Sequence, residues 1–278
     1  MDFLTLGHIT RDLVPGGYTV GGTVTYASVA AMRLGWKPGV ITRTGPDIDL
    51  PDVYNRIELL PLPSEKTTTF QNIYTPTGRV QKLHTVAWPI GPEDIPSSWQ
   101  REPKIVLLGP LANEIKPDVS SMFPDALVGV VPQGWMRAWN EQGLVSPKPW
   151  DSAEEILPHV DVLVLSFEDI DHDLGRAEHC WELLGNGLMV LTRGRDGCDV
   201  YFRGDTTRVE PRPAEEVDPT GAGDVFAAAF LIRLFETGDP LNAARFANVA
   251  ASFNIEGSGI DGIPERGQIE NWLAEHPD

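Results

Sequence analysis

The sequence predicts an α/β fold: a doubly wound, mostly parallel sheet flanked by helices, with a small β-hairpin acting as a lid. Three observations carry this. Six short apolar runs, rich in branched residues, each stop at a glycine or a polar cluster. Such runs suit strands buried on both faces of a parallel sheet. Helix-like segments fall between them, and βα alternation is the pattern of a doubly wound domain. One stretch, 64–88, breaks the alternation and reads as a hairpin.

The strand candidates, in order, are FLTLG (3–7), VITRTG (40–45), IVLLG (105–109), ALVGVV (126–131), VDVLVLS (160–166) and LMVLTRG (188–194). The helix candidates begin with VTYASVAAMRLG (24–35), which has small and apolar residues at helical spacing. DSAEEILPHV follows, with Asp151 or Ser152 as its expected cap. GRAEHCWELLGNG and DVFAAAFLIRLFETGDP each run out at a glycine, the usual residue just past a helix. LNAARFANVAASFNIEG closes the series. Residues 64–88, SEKTTTFQNIYTPTGRVQKLHTVAW, are rich in Thr, Val and aromatics around a TPTG turn, the signature of a hairpin. The long connection PQGWMRAWNEQGLVSPKPW (132–150) carries three Trp, which argue that it is packed. A single domain over 1–278 is expected, with lid elements around 12–22 and 64–88.

A formal net charge of −18 argues against nucleic acid or an anionic membrane surface as partner, since both require clustered Lys and Arg. A small ligand fits better. Cys180 and Cys198 form neither a metal-spaced pair nor a disulfide framework. The start MDFLTLGHIT lacks the pattern of a secretory signal. No apolar run approaches the roughly 20 residues that cross a bilayer. The expectation is a cytoplasmic enzyme, monomeric or a homodimer. The six histidines show no metal spacing, and Trp88, Trp99 and Trp150 read as packing residues.

In open α/β sheets ligands bind beyond the carboxyl ends of the strands, which draws attention to Asp12, to Glu168 and Asp169, to RGRDG (193–197) and to VDPTGAGDVFAAAF (217–230). The last is expected to follow a strand-like segment ending near Glu216. Gly221, Ala222 and Gly223 let the chain turn tightly and present N–H groups at the start of a helix, an anion hole suited to phosphate. A carboxylate beside such a hole would repel a phosphate, unless a hydroxyl sits between them. Asp224 then takes the hydroxyl's proton while the N–H groups stabilise the transferring group. The bland alternative is an Asp that caps its helix. No Gly-x-Gly-x-x-Gly follows the first strand, and no Gly-Lys-Ser/Thr loop occurs.

DPTGAGD (218–224) resembles the C-terminal signature of the ribokinase-like (PfkB) carbohydrate kinase family, and the similarity runs in order along the whole chain. GHITRD (7–12) resembles the family's first strand, whose aspartate, here Asp12, contacts substrate hydroxyls. GGTVTYASVAAMRLG (21–35) resembles the glycine-pair motif, where the Gly21–Gly22 backbone approaches the sugar. Tyr26 stands at that motif's usual Asn and is carried over as a substrate contact. TRGRDG (192–197) resembles the nucleotide loop, with Thr192, Gly194 and Gly197, and Thr220 as a further nucleotide contact. ANVAASFNIEGSG (247–259) resembles the late helix whose asparagine, Asn248, lies against adenine. SFED (166–169) stands where the family orders magnesium-bound water, through Ser166 and Asp169 with Glu168 as the alternative. PQGWMRAWNEQG and EKTTTF look most like myo-inositol kinases, which implies substrate contacts at Gln133 and Arg137. Arg137 reads equally as a surface residue stacked on Trp135 or Trp139.

The resemblance implies ATP as phosphoryl donor, Mg²⁺, and a small polyol, a sugar or cyclitol, as acceptor; a monovalent cation is left open. Two alternatives remain: a nucleoside kinase with Phe70, Tyr74 or Trp88 stacking on the base, and a non-catalytic sugar or nucleotide sensor.

Overall fold

The computed structural model describes residues 1–75 and 78–277; for residues 74, 75, 78 and 79 it describes the backbone alone. The first half of the chain forms β1 (Phe3–Leu6), β2 (Thr10–Val14), β3 (Gly17–Gly21), α1 (Thr23–Arg33), β4 (Pro38–Thr44), β5 (Glu58–Pro63), β6 (Thr68–Thr75), β7 (Gly78–Thr85), β8 (Ile105–Leu108) and β9 (Leu127–Val130). The second half forms β10 (Arg137–Trp139), β11 (Val145–Pro147), α2 (Ala153–Ile156), β12 (Val162–Ser166), α3 (Leu174–Leu184), β13 (Leu188–Thr192), β14 (Cys198–Phe202), β15 (Asp205–Val209), α4 (Ala222–Thr237), α5 (Pro240–Asn254) and α6 (Arg266–Glu275). Residues 76–77, in the expected hairpin turn, lie outside the described residues.

The large sheet has nine strands in the order β15-β14-β13-β12-β9-β8-β1-β4-β5. From β5 to β13 every neighbouring pair is parallel, and β14 and β15 add an antiparallel edge. All six strand candidates lie in the parallel part. The chain leaves β1 toward β4 on one side and is joined by β8 on the other, so the strand order reverses at β1. That reversal opens a crevice at the strands' carboxyl ends.

Alternate side chains of each strand feed two cores. Phe3, Ile105, Leu107, Val162, Val164 and Val190 pack against α1, α4 and α5. Leu4, Leu6, Val106, Leu108, Leu163 and Leu191 face the other layer, with Trp135, Trp150 and residues of α2 and α3. The alanines of α4 and α5 let those two helices lie close. Phe230 in α4 is fully buried, so Phe230→Ala would cost about 3–5 kcal/mol.

A second sheet of four strands, β3-β2-β6-β7, contains the expected hairpin. It is fastened at its root by His8, just past β1. The buried imidazole sits between Thr68 Oγ1 (2.7 Å) and the Trp88 carbonyl (3.0 Å). A carbonyl only accepts, so Nε2 carries the hydrogen and Nδ1 accepts from Thr68. Burial keeps the ring neutral by lowering its pKa. Asp47 adds a second tie, accepting from the Thr67 N–H (2.9 Å), the Thr67 hydroxyl (2.8 Å) and Arg11 (2.9 Å).

Three local expectations are corrected. The segment before the glycine turn is not a strand near Glu216: β15 ends at Val209. Pro211, Pro213 and Pro219 interrupt the chain beyond it, and proline cannot donate to a ladder. The Val217 and Asp218 N–H groups bond instead to the Ile255 carbonyl, at 2.7 and 3.1 Å. Ser152 occupies the cap position of its helix but makes no side-chain cap bond, its hydroxyl accepting from the Trp150 indole, and the Asp151 carboxylate pairs with Lys148. Pro158 stands just beyond, where the single turn of α2 gives way to a 3-10 turn. Trp88 is 52 % exposed, so it is not a core packing residue, whereas Trp150 is buried against Trp135 in a stacked pair.

Candidate active site

The glycine turn meets α4 at the crevice. Gly221 holds the left-handed conformation (φ 77°) as the residue before the helix. A side chain there would also collide with the ring of Tyr26. The position therefore requires glycine twice over, by backbone angle and by space. Among the described residues, the Gly221, Gly223 and Asp224 N–H groups have no protein acceptor, as expected of a first helical turn. Ala222, expected to join them, differs. Its N–H bonds to the Pro219 carbonyl at 3.2 Å, closing the turn, so the cup is formed by its neighbours.

Asp224 is half-buried at the mouth of α4. Burial pushes its pKa up to about 6; a hydrogen bond from the Thr23 hydroxyl and the charge of Arg137 offset this only in part, and Asp169 adds to it. Thr23 opens α1 immediately after the glycine pair, so the two motifs meet at this carboxylate. Asp12 lies on β2, facing the same side of its sheet as Thr19 on β3 and Phe70 on β6. Its pKa is also pushed to about 6 by burial, against a hydrogen bond from Thr10 (3.2 Å) and the field of Arg137. A side chain at Gly21 would strike the Asp12 carboxylate, and one at Gly22 the His8 carbonyl. The glycine pair is what lets this carboxylate sit against the start of α1.

Asp169 accepts from the Gln133 amide (3.2 Å) and the Ser166 N–H (3.1 Å). Burial raises its pKa despite these bonds. The Ser166 hydroxyl accepts from the Glu168 N–H (3.1 Å), and the Glu168 side chain is exposed. Gln133 thus positions Asp169. Arg137, at the head of β10, stacks on neither Trp135 nor Trp139. Its guanidinium lies 5.8 Å from the centre of the Phe70 ring, and one nitrogen reaches the Leu111 carbonyl at 3.5 Å. Asp12, Asp169 and Asp224 all feel its charge. Tyr26 is 5 % exposed, its ring against Gly221. At that depth it supports the turn from below.

Of the expected nucleotide residues, Thr192, Gly194 and Gly197 lie at the end of β13, Asn248 on α5 and Thr220 in the glycine turn itself. The Thr192 hydroxyl bonds the Leu165 carbonyl at 3.2 Å. Gly194 and Gly197 flank a 3-10 turn. The Asn248 amide is 7 % exposed and donates to the Val209 and Glu210 carbonyls, both at 3.1 Å, which anchors the end of β15. Thr220 is exposed, its N–H bonded to Asp218 (3.0 Å). Arg193 is held by Asp199 at 2.5 Å and lies over the Phe167 ring, while Arg195 is exposed.

Sequence reasoning missed Glu114. Only 2 % exposed, its carboxylate accepts from the N–H groups of His8 (3.0 Å), Leu111 (2.9 Å) and Ala112 (2.7 Å). It ties the end of β1 to the end of β8 beneath the site. A carboxylate that takes three main-chain donors looks, in sequence, like any other loop glutamate.

Among the described residues no three His, Cys, Asp or Glu side chains are grouped to hold a metal directly. Asp169 fits a divalent ion at one remove: a half-buried oxygen donor near the cup suits a hard ion that keeps several waters.

The pfkB family carbohydrate kinase model matches residues 136–266. Inositol 3-kinase of Oryza sativa subsp. japonica is 27 % identical over 285 residues, covering 92 % of this chain and 69 % of that protein. Cytidine kinase of Thermococcus kodakarensis is 29 % identical over 266 residues, covering 87 % and 91 %. A nucleoside kinase of Methanothermobacter thermautotrophicus is 33 % identical over 120 residues, covering 41 % of this chain and only 38 % of its own length. A solved pyrophosphate-dependent kinase of the ribokinase family superposes with a TM-score of 0.80 at 22 % identity, covering 97 % of this chain and 99 % of that one. The fold is that of the ribokinase-like kinases, and over residues 136–266, a little under half of the chain, the sequence is similar to the pfkB family of carbohydrate kinases.

Proposed function

We propose that this protein transfers the γ-phosphoryl group of ATP to a hydroxyl of a sugar or cyclitol, with Asp224 as the general base. The observation that carries this reading is the pairing, on one helical turn, of a carboxylate with main-chain N–H groups that have no internal acceptor. Asp12 and the Gly21–Gly22 backbone grip the acceptor's hydroxyls. Asp224 receives the proton of the attacking hydroxyl as its oxygen bonds to phosphorus, so placement counts for more than basicity. The Gly221 and Gly223 N–H groups stabilise charge on the group in flight. Arg137 holds the three aspartates toward their charged forms. Thr192, Gly194, Gly197, Thr220 and Asn248 form the nucleotide side. Mg²⁺, when bound, neutralises donor phosphate charge, and Ser166, Asp169 and Glu168 are the residues that would order its water. The smaller sheet acts as a lid within a single domain, excluding water that would otherwise hydrolyse the donor.

A cyclitol is favoured over a nucleoside by the state of the aromatic residues. Phe70 is 3 % exposed, enclosed by Leu83, Leu111 and Ala112. Trp88 belongs to the hairpin root through its carbonyl. Phe70 therefore offers no face to a base, while the exposed Trp88 ring is left to the acceptor assay; the Tyr74 side chain lies outside the described residues. A non-catalytic sensor would have no need of a base beside the cup.

A coupled assay of nucleoside diphosphate or orthophosphate formation tests this. Myo-inositol, hexoses and nucleosides serve as acceptors, ATP and pyrophosphate as donors, with potassium present or replaced by choline. Turnover with ATP and a polyol is the expected result. Turnover on nucleosides alone would overturn the acceptor, and pyrophosphate alone the donor.

A further inference from the structure

Asn254 closes α5 and is 1 % exposed. Its Nδ2 donates to the Thr220 carbonyl at 3.1 Å, while its Oδ1 has no partner among the described residues. A half-satisfied amide in the interior is a poor choice for stability, since an apolar residue of the same size avoids the unpaired oxygen. Such a group calls for an explanation.

The far end of its one hydrogen bond supplies it. Thr220 stands just before Gly221, whose carbonyl accepts the first bond of the helix, from the Val225 N–H at 2.9 Å. The Thr220 carbonyl lies outside that ladder and is turned inward to Asn254. Within one planar trans peptide the C=O and the following N–H point in opposite directions, so a carbonyl fixed inward sends the Gly221 N–H outward. Asp218 holds the same residue from its other side, accepting the Thr220 N–H and the Gly259 N–H at 3.0 Å each.

We propose that Asn254 is a positioning residue for the anion cup: by capturing the Thr220 carbonyl it aims the Gly221 N–H at the transferring phosphoryl group. This rests on the reading of the cup given above. The side chain never touches substrate and acts through one peptide plane.

Two variants separate this from a packing role. Asn254→Asp keeps the shape and removes the donor; Asn254→Leu removes both polar atoms and the unpaired oxygen. Each should lower kcat about 100-fold, the lower end of the scale of one lost oxyanion donor, with KM for the polyol unchanged within about twofold. Asn254→Leu should melt within a few degrees of the wild type. Calorimetric titration with pyrophosphate should show affinity reduced about tenfold in both, a readout that needs no turnover. A folded Asn254→Leu enzyme with wild-type kcat and wild-type pyrophosphate affinity overturns the proposal. Asp224→Asn, assayed alongside, keeps the two ideas apart. If it loses turnover while Asn254→Leu does not, only the positioning role fails. If it keeps turnover, the base assignment fails, and the pyrophosphate titration alone judges Asn254.

Discussion

Asp199 and Asp224 are the same residue type, both drawn away from solvent, yet their surroundings push them in opposite directions. Burial disfavours the charge on each. At Asp199 it is outweighed by Arg208 and by Arg193, whose Nε lies 2.5 Å away, and the carboxyl is held below the usual range. At Asp224 one hydroxyl and a shared arginine do not suffice, and the pKa rises to about 6. The division extends through the molecule. Asp47, Asp218 and Glu236, which tie segments together, are lowered by hydrogen bonds that overcome burial. Asp12 and Asp169, around the cleft, are raised. Carboxylates that hold the fold are given donors. Those at the site are kept short of them, and such perturbation is the mark of a functional position.

Asp224→Asn is the sharpest way to break that contrast. Turnover should fall by about 10³- to 10⁴-fold, the upper range for loss of a general base, while ATP affinity measured by calorimetry stays near wild type. The wild-type pH profile sharpens it further. The base must be ionised, so kcat/KM should fall about tenfold per pH unit below roughly 6. Turnover near wild type in the variant would remove Asp224 from the chemistry.

The parallel strands and the glycine turn were legible because their signals are local. A branched apolar run ended by glycine depends on its own residues, and so does a turn that needs the left-handed region at Gly221. The edge elements were not. β5 is Glu58–Pro63, with two prolines, and pairs only with β4; periodicity cannot find a strand whose alternation is interrupted. β2 and β3 were read only as lid elements, because Gly16 and Gly17 disguise a two-strand hairpin. At the candidate site, residue identity singled out Asp12, Asp169 and Asp224, but their surroundings come largely from distant residues, Arg137 for all three and Thr23 for Asp224. Gln133 turned out to bond Asp169, Asn248 the end of β15, and Ala222 its own turn. Asn254 and Glu114 left no sequence signal, since each works through the main chain of a distant segment.

Asp199→Asn tests the other side of the contrast. Losing the charge leaves Arg193, itself mostly buried, facing a neutral amide. Breaking a buried pair typically costs about 3–5 kcal/mol, and the exposure of Arg208 places this case at the lower end. For a domain of this size the melting temperature should drop by roughly 5–10 °C. The kcat of the folded enzyme should change less than about threefold, because Asp199 acts between β14, β15 and the turn after β13. A fall in kcat as large as that of Asp224→Asn would merge the two classes of carboxylate.

The smallest effect distinguishes the classes by sign. The folded pKa of Asp224 lies above the unfolded value of about 3.9, so its protonated form favours the fold. That contribution is complete below about pH 4 and is lost as pH rises through about 6. The neutral amide of Asp224→Asn keeps it at every pH. The variant should therefore melt above the wild type at pH 7.5, by roughly 2–6 °C for about 1–2 kcal/mol, and the gain should vanish toward pH 4. Asp199 has the reverse linkage. Its folded pKa is depressed, so its stabilisation is present above the unfolded value and is lost as pH falls through the folded one. The Asp199→Asn deficit should accordingly be nearly constant from pH 7.5 down to about pH 4 and shrink only below it. Melting curves of both variants at pH 4, 5, 6 and 7.5 put the comparison on one plot. The Asp224→Asn gain should decline toward zero over this range while the Asp199→Asn deficit stays nearly constant, and an Asp224→Asn variant less stable than the wild type at pH 7.5 would mean that the cleft carboxylate is a fold-holding group after all.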